Sequence, residues 1–187
     1  MTQLIDSQKE NQIIATNSFE EIILPSGAAI LVPKINIIFK EWKGEPIEHT
    51  FGNKPLIDVN GKPVFAELAI MHLFIRLGWQ SRWIETYGKN KQKPIFLNNW
   101  KDELFKNQIP ALIKNDSVMS RLKKIAALNG SYSGCWDVIG WRNDKIIFAE
   151  SKRSKKDRIR ETQLNWLNAG LRSGLTPNNF LFVEWSF

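Results

Sequence analysis

Two short apolar runs separated by a polar turn constrain this 187-residue chain most strongly. The runs are residues 136–141 and 146–149, and residues 142–145 between them are polar. Runs of this length on either side of a turn are typical of a β-hairpin. Because residues two apart on a strand point to the same face, Glu150 and Lys152, which follow the second run, are predicted to share one face.

The predicted hairpin brings two acidic side chains and one lysine together. Asp137 lies on the first strand, Glu150 on the second, and Lys152 one step further along the same face. Mg²⁺ binds one or two protein carboxylates, retains several waters and takes further ligands from phosphates. These three residues alone also fit a solvated surface hairpin with a Glu/Lys pair, and that alternative stays open at this point.

An acid on one strand followed by acid-x-Lys on the next resembles the motif of the PD-(D/E)XK nuclease superfamily, and most closely its VRR-NUC type. The residues that carry the resemblance are Gly134, Asp137, Val138, Ile139 and Gly140, then residues 148–152, then Gln163, Trp166, Leu167 and Gly174. Trp136 stands where the superfamily often has proline, which changes the turn into the strand but removes no ligand. The resemblance covers roughly residues 62–187, with an interruption.

The resemblance implies an α/β fold with a restriction-endonuclease-like α-β-β-β-α-β core, in which helices flank a central mixed sheet. This core would occupy residues 61–187, with a partly helical insertion at about residues 88–130. Residues 1–60 would form a β-rich N-terminal extension of the same compact unit. A chain of this size is typical of one domain.

The resemblance also implies roles for individual residues. Asp137 and Glu150 would bind Mg²⁺, for which Mn²⁺ would substitute, and the backbone carbonyl of Ser151 would be a third ligand. Lys152 would orient the attacking water. Gln163, near the start of the next helix, would stand close to the metal; a surface glutamine is the alternative.

Glu67 is a further candidate site residue. A helix is predicted over residues 63–77, with Pro63 in its first turn. Three, four and seven residues after Glu67 the side chains are apolar, so Glu67 is predicted to face the core, where a carboxylate is costly unless a cation meets it. The superfamily often carries a glutamate here that reaches toward the metal. An acid favoured by the helix dipole is the alternative.

Basic residues predict a polyanionic partner. The net charge is +7, and the chain has a pI near 9.5. The cations nearest the motif are predicted to bind nucleic acid: Arg153, Lys155, Lys156, Arg158 and Arg160 after the hairpin, and Lys123 and Lys124 in the insertion. For the insertion, a solvated charged face explains the lysines equally well.

The remaining pattern predicts the other elements and excludes some classes of protein. Strands are predicted at residues 22–24, 29–32, 35–39, 79–86 and 180–185. Helices are predicted at residues 100–106 and 117–128, and a third helix follows the hairpin and ends near residue 172. Residues 1–17 lack periodicity. The N-terminal strands could cap the sheet, form a dimer surface or touch substrate. Cys135 is the only cysteine, which excludes an internal disulfide and fits a reducing cytoplasm. No apolar run reaches the length of a membrane span.

The expected function is therefore that of a Mg²⁺-dependent DNA endonuclease, a hydrolase of phosphodiester bonds. Three alternatives remain: a nucleic-acid-binding protein with a nuclease-like fold but no activity, a subunit that needs a protein partner for cleavage, and an interaction scaffold with an accidental motif. The resemblance is compatible with branched DNA as the substrate and with a homodimer.

Overall fold

The computed structural model describes residues 18–86 and 88–187, so the predicted irregular segment at residues 1–17 lies outside the described residues. Within those ranges the chain forms a mixed seven-stranded sheet, a separate two-stranded sheet and three α-helices. The predicted α/β class is confirmed. No helix in the described part of the chain combines the length and apolar character needed to cross a membrane.

The helices and strands alternate along much of the chain. The strands are β1 (Ser18–Ile23), β2 (Ala29–Ile38), β3 (Ile57–Val59), β4 (Lys62–Val64), β5 (Gln80–Glu85), β6 (Ile95–Leu97), β7 (Val138–Arg142), β8 (Lys145–Arg153) and β9 (Phe180–Ser186), and the helices are α1 (Ala66–Arg76), α2 (Asp116–Asn129) and α3 (Glu161–Arg172). The large sheet has the order β1-β2-β9-β8-β7-β5-β6. Strand β9 is parallel to both of its neighbours, whereas the other pairs are antiparallel.

Helices cover both faces of the sheet. On one face, α1 buries Leu68 and Phe74 against Val138 of β7 and its neighbours. On the other face, α3 packs with α2 and buries Trp166 against Phe148 of β8. Strands covered on both faces read as nearly continuous apolar runs, which is the pattern that marked β7 and β8 in the sequence.

The predicted hairpin is confirmed as β7 and β8. Arg142 pairs with Lys145, and the connecting Asn143 has a left-handed backbone (φ 53°), which asparagine tolerates better than most residues. At the other end of the hairpin Val138 pairs with Ala149. Asp137 and Glu150 therefore come next, at the open end.

The predicted start of the first helix was wrong. Pro63 lies in β4, paired with Asp58 of β3, and α1 begins only at Ala66. The physical reason is the turn at Asn60 and Gly61, where both residues have positive φ angles (55° and 76°). That backbone closes a two-residue hairpin, so the residues after it pair as a strand before the helix can begin.

The helix predicted at residues 100–106 was also wrong. Residues 105–107 form a short 3-10 turn, and the preceding residues are irregular. Trp100 packs against Phe51, Phe65 and Phe105, so aromatic contacts with distant segments outweigh local helical propensity here. Helix α2, in contrast, confirms the second predicted helix of the insertion.

The N-terminal hairpin extends the main sheet. Strand β2 pairs in parallel with β9, from Lys34 opposite Phe182 to Ile38 opposite Ser186. The prediction of two separate strands at residues 29–32 and 35–39 was wrong, because β2 runs through Pro33 without a break and pairs this proline with Phe19 of β1. The segment between β2 and β3 then packs near the open end of the β7–β8 hairpin, where Phe51 contacts Trp83 of β5, the partner of Val138.

Candidate active site

Asp137 and Glu150 meet at the open end of the hairpin. Asp137 immediately precedes β7, and its Oδ2 accepts a hydrogen bond from the backbone N–H of Ser151 (3.0 Å). Glu150 lies inside β8 and is only 1% exposed. The hairpin register thus holds one carboxylate against the backbone of the strand that carries the other.

Glu150, Lys152 and Gln163 form a hydrogen-bonded triangle. Lys152 Nζ lies 3.0 Å from Glu150 Oε1 and 3.0 Å from Gln163 Oε1, and the Gln163 amide donates to Glu150 Oε1. The predicted shared face of Glu150 and Lys152 is therefore confirmed. Gln163 Oε1 also accepts the backbone N–H of Arg160, which ties the triangle to the first turn of α3.

Glu67 is buried on the opposite face of the sheet, in the first turn of α1. It is 7% exposed, and Lys54 Nζ lies 2.6 Å from its Oε1. The predicted burial of Glu67 is thus confirmed, and the cation that accompanies it is Lys54. Lys54 lies in an irregular segment without periodicity; the only signal for it was the need of a buried Glu67 for a positive partner.

The nearby lysines do not fully offset the effects that raise the pKa values of Asp137 and Glu150. Burial raises the pKa of Asp137 and the charge of Glu67 raises it further, against the opposing effects of Lys54 and Lys152. Burial also raises the pKa of Glu150 well above its ordinary value, with Asp137 as the next cause. Two neighbouring acids that both resist ionisation would ionise readily beside an added cation.

Two buried carboxylate oxygens lack partners at this site. Glu150 Oε2 and Glu67 Oε2 accept no hydrogen bond from the described residues. Such atoms are costly unless a ligand satisfies them, so their chemistry fits a cation. No group of three or more acidic, histidine or cysteine side chains converges in the part of the chain described. Asp137 and Glu150 supply the one or two carboxylates that Mg²⁺ commonly takes from a protein.

Gly134 allows the hairpin to approach α3. A Cβ on Gly134 would lie 2.0 Å from the Thr162 carbonyl oxygen, and its φ of 76° is left-handed. Trp136 is fully buried next to it and donates from Nε1 to the Gln163 carbonyl oxygen (3.3 Å). Cys135 is buried too, which raises its thiol pKa well above the ordinary value, as expected of a structural cysteine.

The basic residues after the hairpin occupy the end of β8 and the loop that precedes α3. Arg153 ends β8, and its guanidinium lies over the rings of Trp185 (5.6 Å) and Phe187 (5.1 Å). The next four predicted nucleic-acid contacts are exposed in the loop that precedes α3: Lys155, Lys156, Arg158 and Arg160. The loop meets the site at its end, where the backbone N–H of Arg160 donates to Gln163 Oε1 (2.9 Å).

The two predicted contacts in the insertion differ from these. Lys124 Nζ donates to the Ser173 carbonyl oxygen (2.9 Å) at the C-terminal end of α3. Gln163 lies near the other end of that helix, roughly 15 Å away at the rise of an α-helix. Lys124 therefore caps a helix and does not join the site, and Lys123 is exposed beside it on α2.

A surface cavity elsewhere contains none of the predicted site residues. Its volume is about 530 Å³, and its lining includes Trp42, Lys43 and Phe187. The charges there are balanced, since Lys40 pairs with Asp58 at 2.6 Å. The buried charges converge at the open end of the hairpin, so the candidate site is placed there.

No protein-family model, curated protein or solved structure matches the chain. The resemblance to PD-(D/E)XK nucleases therefore rests on the motif residues alone.

Proposed function

We propose that the protein is a Mg²⁺-dependent DNA endonuclease with a restriction-endonuclease-like core formed by α1, β5, β7, β8, α3 and β9. The observation that carries this proposal is the convergence of Asp137, Glu150, Lys152 and Gln163, with Glu150 Oε2 buried and unpartnered. The order of these elements, and the parallel pairing of β8 with β9 after an antiparallel hairpin, support the proposed core.

The proposed metal ligands are Asp137, Glu150 and the backbone carbonyl of Ser151. Bound Mg²⁺ would supply Lewis acidity toward the phosphate and lower the pKa of a water ligand. Glu67 lies on the far side of Asp137, close enough for its charge to raise the Asp137 pKa, and would position a water or the ion.

Lys152 would orient the attacking water. Its ammonium group has three N–H donors, of which Glu150 and Gln163 take two, so one remains for a water oxygen. In the hydrolysis, the water oxygen bonds to phosphorus and the P–O ester bond breaks; the water releases one proton to solvent and the departing oxygen takes up one proton, so the protons balance. Gln163 holds both Lys152 and Glu150 in place throughout.

The exposed cations between β8 and α3 would bind the phosphate backbone of DNA. They follow the site strand directly, and phosphate contacts from lysine and arginine position a nucleic acid without reading its sequence. Binding by these residues should therefore weaken steeply with salt.

The test is cleavage of labelled supercoiled plasmid, linear duplex, single-stranded and four-way-junction DNA with Mg²⁺, Mn²⁺ or EDTA. Wild-type protein should cut in either metal and not in EDTA, whereas Asp137→Asn and Glu150→Gln should not cut. Glu161→Gln, an exposed acid at the start of α3, is the matched control and should retain activity. Full activity in Asp137→Asn or Glu150→Gln would refute the assignment, and salt-sensitive binding without cleavage would favour a non-catalytic binder or a subunit that needs a partner.

A further inference from the structure

We propose that Lys54 is a second functional lysine of this site. While the site holds no divalent cation, Lys54 neutralises the charge of Glu67. Once a bound divalent cation compensates that charge instead, Lys54 contacts a substrate phosphate oxygen. This inference rests on the proposed nuclease function and deepens it, because it assigns a phosphate ligand to a residue outside the PD-(D/E)XK motif.

Lys54 is placed so that it can exchange partners. Its Nζ lies 2.6 Å from Glu67 Oε1, while Glu67 Oε2 is buried and unpartnered. The Lys54 side chain is 31% exposed and that of Glu67 only 9%. The Lys54 side chain is therefore partly open to solvent, whereas the carboxylate that its ammonium group contacts is enclosed.

The position of Lys54 is fixed from several sides. Its Nζ lies over the rings of Trp83 (5.2 Å) and Phe51 (5.7 Å), which attract a cation. The two preceding residues, Gly52 and Asn53, both have left-handed backbones (φ 69° and 54°). Glycine and asparagine adopt this conformation more readily than other residues, so the turn that places Lys54 forms at little conformational cost.

Electrostatics links Lys54 to the motif residues. Burial lowers the pKa of Lys54, but the charges of Glu67, Asp137 and Glu85 and the hydrogen bond to Glu67 together outweigh that effect and raise it. Lys152 approaches Asp137 and Glu150 from the α3 face, whereas Lys54 approaches Asp137 and Glu67 from the α1 face. The carboxylates are thus flanked by one lysine on each side of the sheet.

Two opposite effects follow from removing the Lys54 charge. The site becomes more negative, so it should bind a divalent cation more tightly. The phosphate contact is lost, so cleavage should slow. If Lys54 had only a structural role, its replacement would damage the fold and would weaken both cation binding and cleavage.

The experiment compares the full-length wild type with Lys54→Met, Lys54→Gln and Lys54→Arg. Mn²⁺ binding is measured by calorimetry without nucleic acid, and cleavage by single-turnover kinetics at saturating Mn²⁺. Both neutral variants should bind Mn²⁺ at least about fivefold more tightly and cleave at least about tenfold more slowly. Lys54→Arg keeps the charge and should bind Mn²⁺ like the wild type.

Unchanged or weaker Mn²⁺ binding in the neutral variants, or cleavage at the wild-type rate, would overturn the role of Lys54. Lys54→Gln can still donate a hydrogen bond to Glu67, so it provides the measurement if Lys54→Met does not fold. The outcomes for Lys54 and for the nuclease assignment are distinguishable. Wild-type cleavage with insensitive Lys54 variants refutes only this inference, whereas a wild type that neither binds Mn²⁺ nor cleaves DNA refutes both.

Discussion

Replacing Gln163 with leucine tests whether the hydrogen-bonded triangle is formed as described. The Gln163 side chain donates to Glu150, accepts from Lys152 at 3.0 Å and accepts from the backbone N–H of Arg160 at 2.9 Å. Leucine is similar in volume and makes none of these bonds. The substitution therefore leaves Glu150 and Lys152 with only each other within the triangle.

The expected loss of stability follows from the types of bond removed. Hydrogen bonds to charged groups contribute about 1.5–3 kcal/mol each, and neutral ones about 0.5–1.5 kcal/mol. The bond to the Lys152 ammonium group is of the first type, whereas the bonds to the Arg160 N–H and to Glu150, which resists ionisation, are closer to the second. Because Gln163 is half-buried and leucine gains some apolar burial, we expect metal-free Gln163→Leu to lose about 2–4 kcal/mol of unfolding free energy.

The assay is urea unfolding in EDTA, with Asn165→Leu as the matched control. Asn165 is exposed on the same helix, so its replacement should change stability by no more than about 0.5 kcal/mol. Gln163→Leu should also cleave DNA about 10–100-fold more slowly, as is usual when a residue supporting metal ligands is lost. If the unfolding midpoints of the two variants coincide, the triangle does not hold the site together and the reasoning fails.

Two further predictions concern backbone packing and pH. Gly134→Ala should lower the unfolding free energy by about 3 kcal/mol or more, because the added Cβ would clash with the Thr162 carbonyl and the φ angle is left-handed. The control is Gly27→Ala, which has a similar φ angle but open space around it. This variant should lose only about 1–2 kcal/mol of unfolding free energy, as measured by thermal unfolding. In the metal-free protein, the contribution of Asp137 and Glu150 to stability should fall as the pH rises above their ordinary carboxyl pKa values of 3.8 and 4.5, because their raised pKa values let the folded state hold protons that the unfolded chain releases. The double variant Asp137→Asn/Glu150→Gln removes this contribution, so in urea titrations at several pH values its stability should fall less, or rise more, with pH than that of the wild type; an identical pH dependence in the two proteins would contradict this prediction.

The local features of the site could be predicted from the sequence because they depend on short-range periodicity. The alternation of side chains along one strand sufficed to place Glu150 and Lys152 on the same face. A one-sided apolar pattern likewise sufficed to bury Glu67. The error at Pro63 was of the same local kind, since the left-handed turn just before it favours a hairpin over an immediate helix start.

Other features were decided only by the tertiary structure. Strand β2 pairs with β9, which is about 150 residues later in the chain, and no local pattern specifies that partner. Lys54 enters the site from an irregular segment held by aromatic rings, and Lys124, which resembled a phosphate contact, caps α3 instead. The sequence by itself determined which side chains share a strand or a helix face, because backbone geometry fixes those relations. The fold decided which cation meets which carboxylate, because burial and long-range packing select the partners.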